Sequence, residues 1–214
     1  MDNMSTLAAT ALVTGAAAEV GVKAVDMIFD SAKAFFPDWK VLKENKNFTQ
    51  VCIKISQYWR QNGIPEEQCH ELAERLQLVY IPVAVTEEDP NLQEMLAVLA
   101  AKASVPNFST HKIHYGFIDV IKSMDPFDAI IVKWIRLQGK SAFSRQAVLD
   151  ALKDPSHDEK LIDISLNNLQ RLMLITFSKL SATVTIQSRR AFLFDPDSFA
   201  LTSFGSAFLD VCFN

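Results

Sequence analysis

The sequence predicts a mainly α fold: an N-terminal helical body over residues 1–124, followed over residues 125–214 by a C-terminal winged helix-turn-helix with a small β-hairpin wing. Three observations carry this. The 214 residues include only six glycines and eight prolines, with long stretches free of both, which favours helices joined by short loops over a many-stranded sheet. Apolar residues recur at helical spacing through most of the chain. The pattern changes only near the C-terminus, where β-branched or aromatic runs at Leu174 to Phe177, Thr183 to Gln187 and Ala191 to Phe194 read as strands. With 49% hydrophobic residues the chain is rich enough to build a substantial core.

The first elements are read from polar stripes and breakers. Leu7 to Ala18 is uncharged and alanine-rich, but charges begin at Glu19, too early for the roughly 20 apolar residues that a membrane span needs. No basic segment precedes it as a signal peptide requires. Glu19, Lys23, Asp26 and Asp30 recur at i, i+4, i+7 and i+11, a narrow polar stripe on a helix whose other faces carry Val20, Val22, Val25, Ile28 and Phe29. Those five residues are the expected self-association surface, giving a homo-oligomer; attachment to a membrane surface is the alternative. Pro37-Asp38 ends this helix and caps a second, Trp39 to Asn62, which stops at Gly63. Val41, Phe48 and Ile55 form its seam with Leu42, Cys52, Tyr58 and Trp59, and its lysines form a solvated face.

Ile64-Pro65-Glu66-Glu67 restarts a helix with acids in its first turn, and Pro82 ends or bends it. Thr86-Glu87-Glu88-Asp89-Pro90 then starts a helix from Asn91 to Ser104, with Leu92, Met95, Leu96, Leu99 and Ala103 as its stripe. The three adjacent carboxylates read as cap and dipole residues rather than as an acid/base pair. A further helix, Ser109 to Lys122, turns Ile113, Phe117, Ile118 and Ile121 inward.

In the second part Asp125-Pro126 caps a helix that ends at Gln138 before Gly139, with Ile130, Ile131, Trp134 and Ile135 buried. Helices follow at Ser144 to Leu152 and Lys160 to Leu172, then the strand-like runs, then a closing helix from Thr202 to Cys212 capped by Thr202 or Ser203. Three helices and a hairpin are the parts of a winged helix. Its third helix is the one that would enter a major groove.

The chemistry available to these elements is limited. Cys52, Cys69 and Cys212 are odd in number and widely spaced, which reads as packing thiols in a reduced, cytoplasmic protein. His111 and His114 share a helix face without a third ligand near them in sequence, so neither a metal nor another cofactor is expected. No Gly-x-Ser-x-Gly, phosphate-binding glycine loop or nucleophile–base pair is apparent; the motifs point away from an enzyme. Residues 1–124 carry 11 Lys+Arg against 15 Asp+Glu, and residues 125–214 carry 10 of each. Neither part is a basic, polyanion-binding body. The nucleic-acid contact set would be Asn167, Asn168, Gln170 and Arg171 on the third helix, whose side chains suit base edges, with Arg189 and Arg190 in the wing for phosphates. A protein partner through the same module is the stronger expectation.

Two blocks carry a resemblance. Glu88-Asp89-Pro90-Asn91-Leu92-Gln93-Glu94-Met95-Leu96-Ala97 onward, with Phe117-Ile118-Asp119-Val120-Ile121 and Met124-Asp125-Pro126-Phe127-Asp128-Ala129, resembles the central block of the Abi-alpha family of bacterial abortive-infection proteins. Asn168-Leu169-Gln170-Arg171-Leu172-Met173-Leu174-Ile175 and Leu201-Thr202-Ser203-Phe204-Gly205-Ser206-Ala207-Phe208 resemble its C-terminal block. One departure is Met173, at a helix end where a small residue such as glycine is expected. The resemblance implies a setting in phage defence and transfers no catalytic residue. The expected partner is therefore a protein or phage component engaged by binding or sensing, with a nucleic-acid-binding regulator and a membrane-acting effector as alternatives.

Overall fold

The computed structural model describes residues 25–30, 32, 41, 44–75, 83, 85–105, 116–152, 159–186 and 189–213. The chain divides into two compact units, residues 1–114 and 115–213. The described residues are mainly helical, with a three-stranded antiparallel sheet towards the C-terminus.

In the first unit, helix α1 (Lys46–Gln61) starts at Asn45, whose Oδ1 accepts the Phe48 N–H at 2.9 Å. An asparagine competes with the helix for its own backbone and so favours a cap. This corrects the expectation of one unbroken helix from Trp39. The apolar seam is reset at the break: Val41 is 66% exposed, while Phe48 and Ile55 are buried. The helix ends where Gly63 enters the left-handed region (φ +68°), with the Gly63 N–H donating to Arg60 O and the Ile64 N–H to Trp59 O. These are the two bonds of a Schellman motif.

Helix α2 (Glu66–Arg75) contributes Cys69, Leu72 and Ala73 to the core. Helix α3 (Pro90–Ser104) is capped by Asp89, whose Oδ1 accepts the N–H groups of Asn91 and Leu92 at 2.9 and 3.0 Å. Glu87 Oε1 in turn accepts the Asp89 N–H at 2.8 Å. Two members of the acidic cluster are thus structural caps. Helix α3 packs against α1 and α2 and is covered around most of its circumference, even to the aliphatic stem of Lys102, which is buried with its ammonium 6.0 Å from the Tyr58 ring centre.

The second unit begins with helices α4 (Gly116–Lys122) and α5 (Pro126–Gln138), followed by strand β1 (Ala142–Ser144) and helices α6 (Arg145–Ala151) and α7 (Glu159–Arg171). Strands β2 (Ile175–Ile186) and β3 (Arg189–Leu201) and helix α8 (Ser203–Cys212) complete it. The sheet order is β1-β3-β2, with both pairings antiparallel. Strand β1 was not expected. Three residues carry too little alternation to read from sequence, and it is held by a long-range partner, with Phe143 opposite Phe199.

The three expected strand-like runs are two long strands. Thr183 to Ile186 pair with Phe192 to Arg189. Register shifts occur between Phe177 and Ser178 and between Lys179 and Thr183. The first lies opposite the part of β3 containing Pro196, a residue without an N–H for the ladder. On the sheet, Phe199 is buried between Phe143, stacked at 5.5 Å, and Phe177, edge-on at 6.5 Å. Trp134 reaches Phe143 at 5.6 Å but is only half-buried, as is Ile130, in contrast to the fully buried positions expected for both.

The junction of α7, β2 and α8 is the tightest part of this unit. Met173 takes the left-handed conformation (φ +61°), with its N–H donating to Gln170 O and the Leu174 N–H to Leu169 O. That is a second Schellman motif, and Leu169 and Leu174 at its two ends are both buried. Thr202 caps α8 by accepting the Gly205 N–H at 2.8 Å, while its own N–H and hydroxyl donate to the carbonyls of Leu174 and Met173. A Cβ on Gly205 would lie 2.0 Å from Leu174 O. Only glycine allows the two backbones to meet there.

Candidate partner-binding surface

Helix α7 is amphipathic: Ile162, Ser165, Leu166 and Leu169 face the core of the unit, and Lys160, Ile164, Asn167, Gln170 and Arg171 are exposed. Its orientation is fixed from two sides. Arg145, the first residue of α6, makes a bidentate pair with Asp163, Nε to Oδ1 at 2.6 Å and Nη2 to Oδ2 at 3.0 Å, and lies 3.6 Å from Glu159. The hydrogen bonds it donates to the Asp163 carboxylate raise the arginine's pKa above its ordinary value. Both acids of α7 are therefore drawn to one guanidinium, a fork geometry that suits arginine.

The other side is a chain of hydrogen bonds through Asn168. Asp128 is fully buried at the start of α5, and its Oδ2 accepts the Asp125 N–H at 2.9 Å and the Asn168 Nδ2 at 2.5 Å. Asn168 Nδ2 also donates to Ser123 O at 3.3 Å. With both amide hydrogens directed to acceptors, Asn168 Oδ1 is left to accept from Arg171, Nε at 3.0 Å and Nη2 at 2.7 Å. The network fixes the amide's orientation and carries it to the guanidinium.

The expected contact set is thus divided. Asn168 is half-buried and its amide is engaged within the fold, whereas Asn167, Gln170 and Arg171 are exposed. Asn167 Nδ2 donates to Asp163 O on its own helix at 2.8 Å. Arg189 and Arg190 occupy the first two positions of β3, in register with Ile186 and Thr185; their side chains lie outside the described residues. Arg145, Asp128 and Ile164 were missed by sequence reasoning. The spacing Asp125-x-x-Asp128 at a helix start is a capping-box pattern and a signal for the second; Ile164 breaks the apolar periodicity set by Ile162, Leu166 and Leu169.

In the first unit Val20 and Val22 lie outside the described residues, as do His111 and His114. Val25 is half-buried, while Ile28 and Phe29 are buried, the Phe29 ring meeting Phe48 edge-on at 5.4 Å. The described part of this helix has apolar cover from its own chain. All three cysteines are buried thiols that form no disulfide, and burial pushes the Cys52 thiol and the Tyr58 phenol above their ordinary pKa values. Such a thiol packs as an apolar group rather than as a nucleophile. Among the described residues no three His, Cys, Asp or Glu side chains are grouped to hold a metal ion, and no helix is long and apolar enough to cross a membrane.

A family model described as abortive infection alpha matches residues 43–212, from before α1 to the end of α8. No curated protein matches the chain, and no solved structure does.

Proposed function

The chain belongs to the abortive infection alpha family, and from that premise we propose that it protects a bacterial cell from phage in the cytoplasm, by binding or sensing a partner rather than by catalysis. The family match over both units carries the defence setting. What supports binding is the build of the second unit. In order it runs α5, β1, α6, α7, β2, β3, with β3 between the other two strands, and we read it as a winged helix: α6 and α7 form the helix-turn-helix, and β2 with β3 forms the wing. In this reading α7 is the presenting helix, locked to α6 by Arg145 and to α5 by Asn168, with one face left to a partner.

A protein or phage component is favoured over nucleic acid because two of the side chains suited to base edges already have partners within the fold. Asn168 is spent within the fold, and the Nε and Nη2 of Arg171 face Asn168. The experiment is a plating assay on a susceptible host carrying the gene or an empty vector, with survival of infected cells scored separately. Fewer plaques together with death of the infected cells is the expected result. Plaque counts unchanged across a broad phage panel would overturn the defence reading.

A further inference from the structure

We propose that the outer edge of strand β2 pairs, through residues 183–186, with the same edge of a second copy of this chain, giving a closed dimer. The inference goes beyond the binding role above and does not rest on it. Strand β2 runs for 12 residues, about twice the common strand length, and it pairs with β3 on one side only. Among the described residues no strand lies on its other side. A free edge presents a row of N–H and C=O groups that another extended chain can pair, and proteins ordinarily blunt such edges with charges or proline. Strand β2 carries one charged residue, Lys179, and no proline. Strand β3 also has a free edge among the described residues, over residues 189–197 beyond its pairing with β1, and it is built the opposite way. Arg189, Arg190, Asp195, Pro196 and Asp197 stand along it.

One open edge and one blunted edge select the occupant. Two copies joined β2 to β2 place their strands in the order β3-β2-β2-β3, so both outer edges are the blunted ones and assembly stops at two. The open stretch is also compatible with itself. Residues 183–186 are Thr, Val, Thr and Ile, all β-branched and uncharged, and Lys179 lies outside them, so the pairing sets no like charges opposite each other. The register follows from the ladder. The irregularity between Lys179 and Thr183 confines regular pairing to residues 183–186. Residues opposite each other in an antiparallel pair are either both hydrogen-bonded or both not, so the two-fold axis runs through a residue rather than between two. The central residues of the stretch are Val184 and Thr185, and the axis passes through one of them.

The test uses the full chain, whose own three cysteines are buried and form no disulfide. Val184→Cys, Thr185→Cys and Ala191→Cys are each oxidised with diamide and separated without reductant. A residue on the axis meets its own copy with Cα atoms ~4.5–5.5 Å apart, within reach of a disulfide, so Val184→Cys or Thr185→Cys is expected to trap a covalent dimer. Ala191, opposite Val184 on β3, is separated from its copy by three strand spacings, about 14 Å, and Ala191→Cys is expected to stay unlinked. Sedimentation equilibrium of the wild-type chain should give the dimer. Thr183→Lys combined with Thr185→Lys sets like charges across the axis and should weaken it by about tenfold, with the melting midpoint measured to establish that the variant folds. A wild-type chain that sediments as a monomer, assembly beyond two copies, or Ala191→Cys linking as readily as the β2 variants would overturn the proposal. So would a dimer that the folded lysine variant leaves unweakened.

Discussion

Helices α3 and α7 are of similar length but divide their residues in opposite ways. Of the 15 residues of α3, 11 are buried, and of the 13 of α7, four are; the first is therefore a core element on most faces and the second a core element on one. The difference shows in composition. Helix α3 is built from Leu, Met, Val and Ala with its polar residues at the ends and edges, whereas α7 alternates apolar anchors with Asn, Gln, Asp and Arg. A helix covered on most sides contributes stability. A helix with one covered face, fixed at both ends by polar locks, has a second face available for recognition.

The strongest way to break the comparison is to truncate one side chain on each helix. Leu99 on α3 is fully buried, and Leu99→Ala is expected to destabilise the first unit by about 3–5 kcal/mol, the cost of a core cavity. Gln170→Ala on the exposed face of α7 should change stability by less than about 0.5 kcal/mol. Denaturant unfolding followed separately in each variant measures both, and similar losses from the two would dissolve the distinction.

A smaller effect sharpens the account of how α7 is joined to the sheet and to α8. Gly205→Ala puts a methyl group against the Leu174 carbonyl, where neither backbone can yield cheaply. A loss of about 2–3 kcal/mol is expected, within the range for overpacking a core. An unchanged melting midpoint would mean that α8 is free to move away from the α7–β2 junction.

The smallest effect has the opposite sign. The Schellman motifs after α1 and α7 share their hydrogen bonds, but the left-handed position is Gly63 in one and Met173 in the other. A side chain there is strained by about 1–2 kcal/mol, partly offset by the greater unfolded-state freedom of glycine. Met173→Gly should therefore stabilise the protein by about 0.5 kcal/mol. Destabilisation would show that the exposed methionine makes a contact worth more than its strain.

Legibility followed the range of the interactions. Caps and stops were readable because they are local: Asp89, Thr202, Gly63 and Gly139 each act within a turn of their own helix, and Met173 stood out as a side chain where glycine was expected. The break at Asn45 was missed because the residues on both sides favour helix. Strand β1 was missed because only Phe199, more than fifty residues on, makes Phe143 part of a sheet. On α7 the polar types were legible but their use was not. Asn168 and Arg171 have the residue types of base contacts, but Asp128, 40 residues from Asn168, takes up the amide. Arg145 and Asp163 meet in the same way, 18 residues apart in sequence.

The claim that α7 is the recognition element can be tested by comparing two exposed apolar residues of the same unit, Ile164 on α7 and Leu137 at the end of α5, exposed by 61% and 77%. Each is changed to Asp, the melting midpoint of each variant is checked against wild type, and efficiency of plating is measured on cells expressing equal amounts. The account predicts that Leu137→Asp protects as wild type does and that Ile164→Asp, still folded, does not. Full protection by Ile164→Asp, or loss of protection with Leu137→Asp alone, would contradict it.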